Sequence, residues 1–431
     1  DSSNGTLANI LKMWGTNPPV AVDVDVFNMS LGSGYGKDED DEPNTEYTFA
    51  GIISSAREAG LINGTSNLRD GKGASYIKSS GNNFKKQATS DCGSTLDCTS
   101  LIIDHRHASP FMTVVAALDA DNIKTSYSST GSALWISGFG GEYGYNSSHV
   151  TGFATGSDTP AIMTVDQTGC TNGYVGANGE GAGSYNGRNT FDDHTGSNSE
   201  NSSCNYTSTF NGTSSAAPTV SGVVALMLQA NPDLTWRVVK HILARTSDKV
   251  DASRSHTYSG VTQYEWKTNE ADYEFHPWYG FGKIDAAEAV TEAASTTANN
   301  LGSWITTGYV DSGVINLAVP STGANATHTI AVSKPSGSNG KIEYVKVSLL
   351  LDHDIPKSVG IRLLSPDGTL LPLLTPLTNV GTNSKDYYFH IGASGFYGEN
   401  MEGDWTIALN DYINDSTDGV LTRWYITVYG N

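Results

Sequence analysis

Over the first 290 positions, short runs rich in β-branched residues alternate with apolar residues at helical spacing. Leu7, Ile10 and Leu11 follow Asn4, a plausible cap, and predict a helix over 1–13. Residues 20–31 predict a buried strand. A helix is expected over 49–60, closed by Gly60. Strands are expected over 74–80 and 111–117. The strongest helical stretch is 213–230, rich in Ala, Val and Leu and stopped before Pro232. Two shorter helices follow, over 235–246 with Thr235 as its cap, and within 282–294. This alternation predicts an α/β layer on a mostly parallel sheet. Beyond residue 295 the helical period vanishes. Val345, Val347, Leu349 and Leu351 alternate with Lys346, Ser348 and Leu350, and Trp405–Leu409 and Trp424–Val428 keep the same period of two. Turns such as Pro366-Asp367-Gly368 separate these runs. The expected organisation is an α/β domain over 1–294, a polar linker over 295–302 and an all-β sandwich over 303–431.

Charge narrows the functional classes. The 431 residues carry 45 Asp and Glu against 25 Lys and Arg, a net charge of -20. Nucleic acid is excluded as a partner, because phosphates need a basic face. Cationic peptides and calcium suit the balance. No apolar run approaches the roughly 20 residues that span a bilayer. Four cysteines without a CxxC pair point to two disulfides, Cys92–Cys98 and Cys170–Cys204, in an oxidising compartment. Four buried thiols are the other reading. A secreted, extracellular protein is therefore expected.

The chemistry concentrates at Asn211-Gly212-Thr213-Ser214-Ser215-Ala216-Ala217-Pro218, at the head of the longest helix. A serine there sits among free backbone N–H groups and the positive end of the helix dipole. Those groups can hold the oxyanion formed when its hydroxyl attacks a carbonyl. The plainer reading is that Ser214 only caps the helix.

The run Gly212–Pro218 resembles the serine motif of the subtilisin superfamily. Asn28-Met29-Ser30-Leu31-Gly32 looks like the strand that pairs with substrate in that family, and Ser80-Gly81-Asn82 looks like its oxyanion asparagine. Tyr279-Gly280-Phe281-Gly282-Lys283-Ile284-Asp285-Ala286 is similar to its closing helix. Ser365–Thr369, Gly398–Trp405 and Gly419–Gly430 resemble the P domain of kexin-like proprotein convertases. The resemblance implies a subtilisin-like parallel-sheet domain, incomplete at its N-terminus, followed by a jelly-roll-like P domain. It implies Ser214 as nucleophile, Asn82 as oxyanion donor, and Ser30, Leu31 and Gly32 as substrate-binding backbone.

The resemblance also calls for an Asp and a His ahead of Ser30, and no histidine precedes it. His105 and His107 follow Asn82 and are expected in a surface loop. Asp311-Ser312-Gly313 mimics the family's aspartate motif but falls in the β-rich part, so it is expected to be a decoy. The expected partner is thus an N-terminal segment of the same protease that carries Asp and His. A propeptide or chaperone is a further expected partner. Kexin-like enzymes select paired basic residues, and Asp40, Asp41, Asp91 and Asp97 are the candidate pocket acids. Structural calcium is expected from the resemblance, with Asp367, Asp404, Asp411, Asp415 and Asp418 as candidates. The competing class is a non-catalytic fragment or pseudoprotease that acts through its P domain.

Overall fold

Four short strands form the centre of the first half. Val26–Met29 (β1), Ser75–Ser79 (β2), Met112–Leu118 (β3) and Ile136–Phe139 (β4) pair in that order, all parallel. β2 and β3 are buried along their whole length, as expected of a sheet covered on both faces. The computed structural model describes residues 14, 22–32, 53–84, 100–145, 160–177, 189–192, 194–195, 198–258, 260–297, 301–376, 384–412 and 418–431. The helix expected over 1–13 lies outside them.

Two boundaries differ from the sequence reading. The strand expected over 20–31 is confined to β1, and residues 22–25 form a turn and bend that lead into it. The helix expected over 49–60 instead spans Ser55–Asn67 (α1), where the Ser54 hydroxyl accepts from the Arg57 N–H. Gly60 lies buried within α1 and does not close it. Gly64, one turn on, shows why small residues recur here: a methyl group at that position would fall 1.7 Å from the Tyr76 hydroxyl of β2. These glycines let the helix approach the sheet.

Thr213–Ala230 (α2) matches its expected bounds and packs across all four strands. Trp236–Arg245 (α3) starts at Thr235, whose hydroxyl accepts from the Val238 N–H, and Ala286–Ser295 (α4) packs against α2. An antiparallel ribbon of Ile162–Val165 (β5) and Tyr206–Phe210 (β6) leads directly into α2. The Cys170–Cys204 disulfide closes the segment between its strands. Cys92 and Cys98 lie outside the described residues.

After α4 the chain forms two antiparallel sheets. Ala326–Val332 (β7), Val359–Leu364 (β9), Leu370–Leu374 (β10) and Gly403–Asp411 (β12) pair in the order β7-β12-β9-β10. Ile342–His353 (β8) lies between Ser384–Ala393 (β11) and Gly419–Gly430 (β13) in the other sheet. The fold is therefore an α/β domain with a parallel sheet, followed by a β-rich sandwich. Val345, Val347, Leu349 and Leu351 fill the sandwich core, as their period predicts. Lys346 and Ser348, on the opposite face, are also buried, which a period of two alone does not foresee. The α/β domain covers part of that face: Lys346 pairs with Glu58 of α1 at 3.6 Å. Arg237 of α3 makes a two-pronged ion pair with Glu343, and the Ser132 hydroxyl donates to the Gly392 carbonyl at 2.6 Å.

Candidate active site

Ser214 is the second residue of α2, where its N–H has no partner one turn back. The cap position belongs to Gly212, with φ +112°, so Ser214 is not a cap and the plainer reading fails. That φ strongly favours glycine. The Gly212 N–H donates to the Tyr127 hydroxyl at 2.8 Å, and Tyr127 in turn donates to the Gly140 carbonyl at 3.0 Å and to the Gly141 carbonyl. This buried tyrosine ties the turn before the serine to the end of β4. The Ser30 hydroxyl donates to the Ser214 carbonyl at 2.8 Å, and the Ser214 hydroxyl reaches the Ser30 carbonyl at 3.4 Å. The chain after β1 is thus stapled to the first turn of α2.

Asn82 lies beside this turn. Its Oδ1 accepts from the Thr213 N–H at 2.8 Å and from the Thr213 hydroxyl at 2.7 Å. Two donors on the oxygen settle which way the amide faces, so Nδ2 stays free to donate elsewhere. A methyl group at Gly212 would lie 3.4 Å from that Nδ2 and 3.5 Å from the Ser214 nitrogen. A serine hydroxyl, a free helix N–H and a side-chain amide N–H therefore gather in one place, the donor set an oxyanion needs. Among the described residues no histidine contacts the Ser214 hydroxyl, whose partner is the Ser30 carbonyl.

His105 and His107 correct the surface-loop expectation: both are buried, in a 3-10 turn behind β2. The polar sequence Asp104-His105-Arg106-His107 goes inside because its charges neutralise one another. The Asp104 carboxylate takes two hydrogen bonds from the Arg106 side chain, at 2.7 and 2.6 Å, and lies 3.4 Å from Lys78 Nζ of β2. Burial alone would raise the Asp104 pKa, but Lys78, His107 and Arg106 outweigh it and hold the carboxyl well below the usual range. Burial pulls Lys78 down to about 8. His105 is drawn down to about 4 by burial, and the neighbouring Arg106 and Arg57 add to that. The His105 ring accepts from Arg57 at 3.1 Å, as a neutral ring can. His107 Nδ1 meets the Leu101 carbonyl at 2.6 Å and its Nε2 meets the Ser79 carbonyl at 3.0 Å. Burial pulls His107 down to about 4, against Asp104 and the two carbonyls, which favour the charged ring.

Gly32 sits in front of this cluster, where a methyl group would lie 3.5 Å from Asp104 Oδ2 and 3.7 Å from Lys78 Nζ. Of the three expected substrate-binding residues, Ser30 lies beside Ser214, Leu31 is exposed and Gly32 faces the Asp104 cluster. Asp40, Asp41, Asp91 and Asp97 lie outside the described residues. Asp311 sits at the edge of the sandwich, paired with Arg423. The calcium candidates do not converge. Asp367 accepts from Asn400, Asp411 meets His353 Nε2 at 3.1 Å, Asp418 accepts from the Ser321 N–H, Asp404 is exposed, and Asp415 lies outside the described residues. Among the described residues no group of three or more His, Cys, Asp or Glu is placed to hold a metal, and Asp367, Asp404, Asp411 and Asp418 do not form one site. Sequence reasoning missed Thr213, Tyr127 and the Lys78–Asp104–Arg106 cluster. A lysine inside the apolar strand Tyr76-Ile77-Lys78 was the available signal, since a buried charge needs a buried partner.

A family model described as the subtilase family matches residues 2–282. The chain belongs to the subtilase family. A second model, the proprotein convertase P-domain, matches residues 342–428, within the β-rich part. The chain is 31% identical over 379 residues to the Aeromonas extracellular serine protease of Aeromonas sobria, covering 80% of this chain and 56% of that protein. It is 31% identical over 231 residues to proprotein convertase subtilisin/kexin type 6 of Homo sapiens, covering 51% of this chain and 22% of that one. This subtilase chain thus spans little more than half the length of its Aeromonas relative. Its fold superposes on the crystal structure of the serine protease of Aeromonas sobria with a TM-score of 0.81 at 27% identity, covering 100% of this chain and 75% of that one. A structure of that protease in complex with a chaperone matches with a TM-score of 0.78 at 26% identity, with the same coverage. Among the described residues no helix is long and apolar enough to cross a membrane.

Proposed function

We propose that the protein is a serine endopeptidase in which Ser214 is the nucleophile. Asn82 Nδ2 and the Ser214 N–H are the oxyanion donors. The observation that carries this reading is the double donation of Thr213 to Asn82 Oδ1 beside Ser214, which leaves an amide N–H free at the helix N-terminus. A histidine takes the Ser214 proton as the hydroxyl attacks the peptide carbonyl. The tetrahedral intermediate collapses, that proton passes to the leaving amine, and water then hydrolyses the acyl-enzyme. In this reading the histidine and its aspartate come from an N-terminal segment of the protease. Among the described strands β1 pairs with β2 alone, which leaves one edge for a further parallel strand.

The same reading extends to substrates with basic or paired basic residues. The net charge of -20 and the acidic candidates Asp40, Asp41, Asp91 and Asp97 support it. Secretion is supported by the extracellular Aeromonas relative, and a chaperone or propeptide partner by the relative crystallised with one. Structural calcium, expected from the resemblance, is part of the same proposal. A drop in thermal midpoint on adding a chelator, reversed by calcium, is the outcome expected of it.

A fluorophosphonate probe should label Ser214, and Ser214→Ala should abolish labelling. Asn82→Ala should lower kcat by about 10²–10³-fold while the thermal midpoint holds. Unaltered turnover in Asn82→Ala would sink the assignment. For specificity, peptides with Arg-Arg, Ala-Ala and Glu-Glu ahead of the scissile bond should be cleaved in that order of kcat/KM.

A further inference from the structure

The peptide segment that carries Asn82 is held from the β-sandwich as well as from its own domain. Tyr344 of β8 is buried, and its hydroxyl donates to the His107 carbonyl at 2.8 Å, across the boundary between the two domains. The hydroxyl reaches that carbonyl because Gly392 of β11 lies beside it: a methyl group at Gly392 would fall 1.8 Å from the Tyr344 hydroxyl and 3.1 Å from the His107 carbonyl. The His107 ring lies between two carbonyls, Nδ1 2.6 Å from that of Leu101 and Nε2 3.0 Å from that of Ser79, and a neutral ring donates its one proton to either of them. Lys78 Nζ holds the same Ser79 carbonyl at 2.8 Å. From Ser79 onward each link is secured. The Ser80 N–H donates to the Val115 carbonyl at 3.0 Å, the Gly81 N–H donates to the Thr213 hydroxyl at 3.1 Å, and Asn82 Oδ1 accepts from Thr213.

We propose that Tyr344, acting through His107 and the Ser79 carbonyl, is a positioning residue for Asn82, so that the β-sandwich sets the geometry of the oxyanion site. This rests on the reading of Asn82 as an oxyanion donor. The physical need is tight placement: a catalytic amide must be held to within about 0.5 Å, and displacements near 1 Å cost orders of magnitude in rate. Asn82 lies three residues past the end of β2, so sheet hydrogen bonds alone do not fix it. Ser129 steadies the residues on either side, its N–H donating to the Gly81 carbonyl at 2.9 Å and its hydroxyl accepting from the Asn83 N–H at 3.3 Å. The turn that carries His107 adds support from the strand end at Ser79, and Tyr344 holds that turn. Burial pushes the Tyr344 pKa upward, so its hydroxyl remains a donor over the whole working range.

A double-mutant cycle in the active protease tests this. Tyr344→Phe keeps the ring and removes the donor. It should lower kcat about tenfold with KM changed less than about twofold, because the loss falls on the transition state. In the Asn82→Ala background the same substitution should cost less than about twofold, because the group it positions is gone. Gly392→Ala, whose methyl group displaces the hydroxyl, should reproduce the kcat loss and the same dependence on Asn82. An equal fold loss in both backgrounds marks a merely structural tyrosine and overturns the proposal, as does an unchanged kcat in Tyr344→Phe. If Tyr344→Phe does not fold, His107→Gln cycled against Asn82→Ala carries the same test. If Asn82→Ala itself leaves kcat unchanged, the oxyanion assignment fails instead, and the two failures are told apart.

Discussion

An asparagine amide can turn either its oxygen or its nitrogen toward a substrate, and Thr213 decides which at Asn82. Its N–H and hydroxyl both donate to Oδ1. Thr213→Val removes one donor at nearly constant volume and should lower kcat about tenfold with little change in KM, as steady-state kinetics would show. Thermal unfolding of the same variant should move far less than its rate. Asp104 poses a different single-residue problem. Its carboxylate offsets Lys78 and Arg106 where all three are buried. Asp104→Ala should therefore destabilise the fold by about 3–5 kcal/mol, read from urea unfolding, because two buried cations lose their counter-charge. A loss below about 1 kcal/mol would show that water reaches the cluster. Neither pair was legible in the sequence, where Thr213 reads as part of a helix start and Asp104 as part of a polar loop.

Among the elements, α2 was the most legible. Its composition and Pro232 bound it, and its observed ends match the expected ones. Its seating on the sheet was not legible. Gly138 of β4 lets it come close: a methyl group there would fall 2.7 Å from the Ala216 carbonyl, two residues after Ser214. Gly138→Ala should cost about 1–3 kcal/mol by overpacking and shift the first turn of α2. Melting temperature and probe labelling of Ser214 should fall together. A variant with normal labelling and normal stability would show that α2 can move without cost. α1 was placed about six residues early, because Gly60 was taken as a stop. In the fold its neighbour Gly64 makes room for Tyr76, a tertiary reason that no local pattern carries. The β8 alternation was right for the sandwich core and incomplete for the other face, since the partners there, Glu58 of the α/β domain for Lys346 and His390 of β11 for Ser348, are remote in sequence.

For the whole molecule, burial of ionisable groups sets the response to acid. His105, His107, His241 and His390 are drawn down to about 4 and His276 to about 3, all chiefly by burial. His276 Nδ1 accepts from the Trp278 N–H, which requires a ring without a proton there. Each of these histidines is neutral when folded and takes up a proton on unfolding between about pH 4 and its ordinary pKa of 6.5. The unfolded state then binds more protons, so stability falls as pH is lowered from 6.5 to 4; the histidine contribution levels off below that, where protonation of the depressed Asp104 carboxyl continues the loss. Unfolding near pH 5 should take up as many as about five extra protons, measurable from the pH dependence of the urea midpoint. A flat profile across that window would contradict neutral buried histidines.

The sequence by itself determined the α/β-then-β order, the period of the sandwich core strand and the small-residue helix start at Ser214, since these follow from local spacing and side-chain size; the Cys170–Cys204 pairing was one of two readings until the fold brought the two sulfurs together. Only the tertiary structure decided that Thr213 orients Asn82, that His105 and His107 are buried with Asp104, and that Tyr344 reaches the turn behind the site. Those facts depend on which distant segments meet. A charged or polar side chain goes inside only when its partner arrives there with it, and that partner is chosen by the packing of sheet, helix and second domain rather than by its neighbours along the chain.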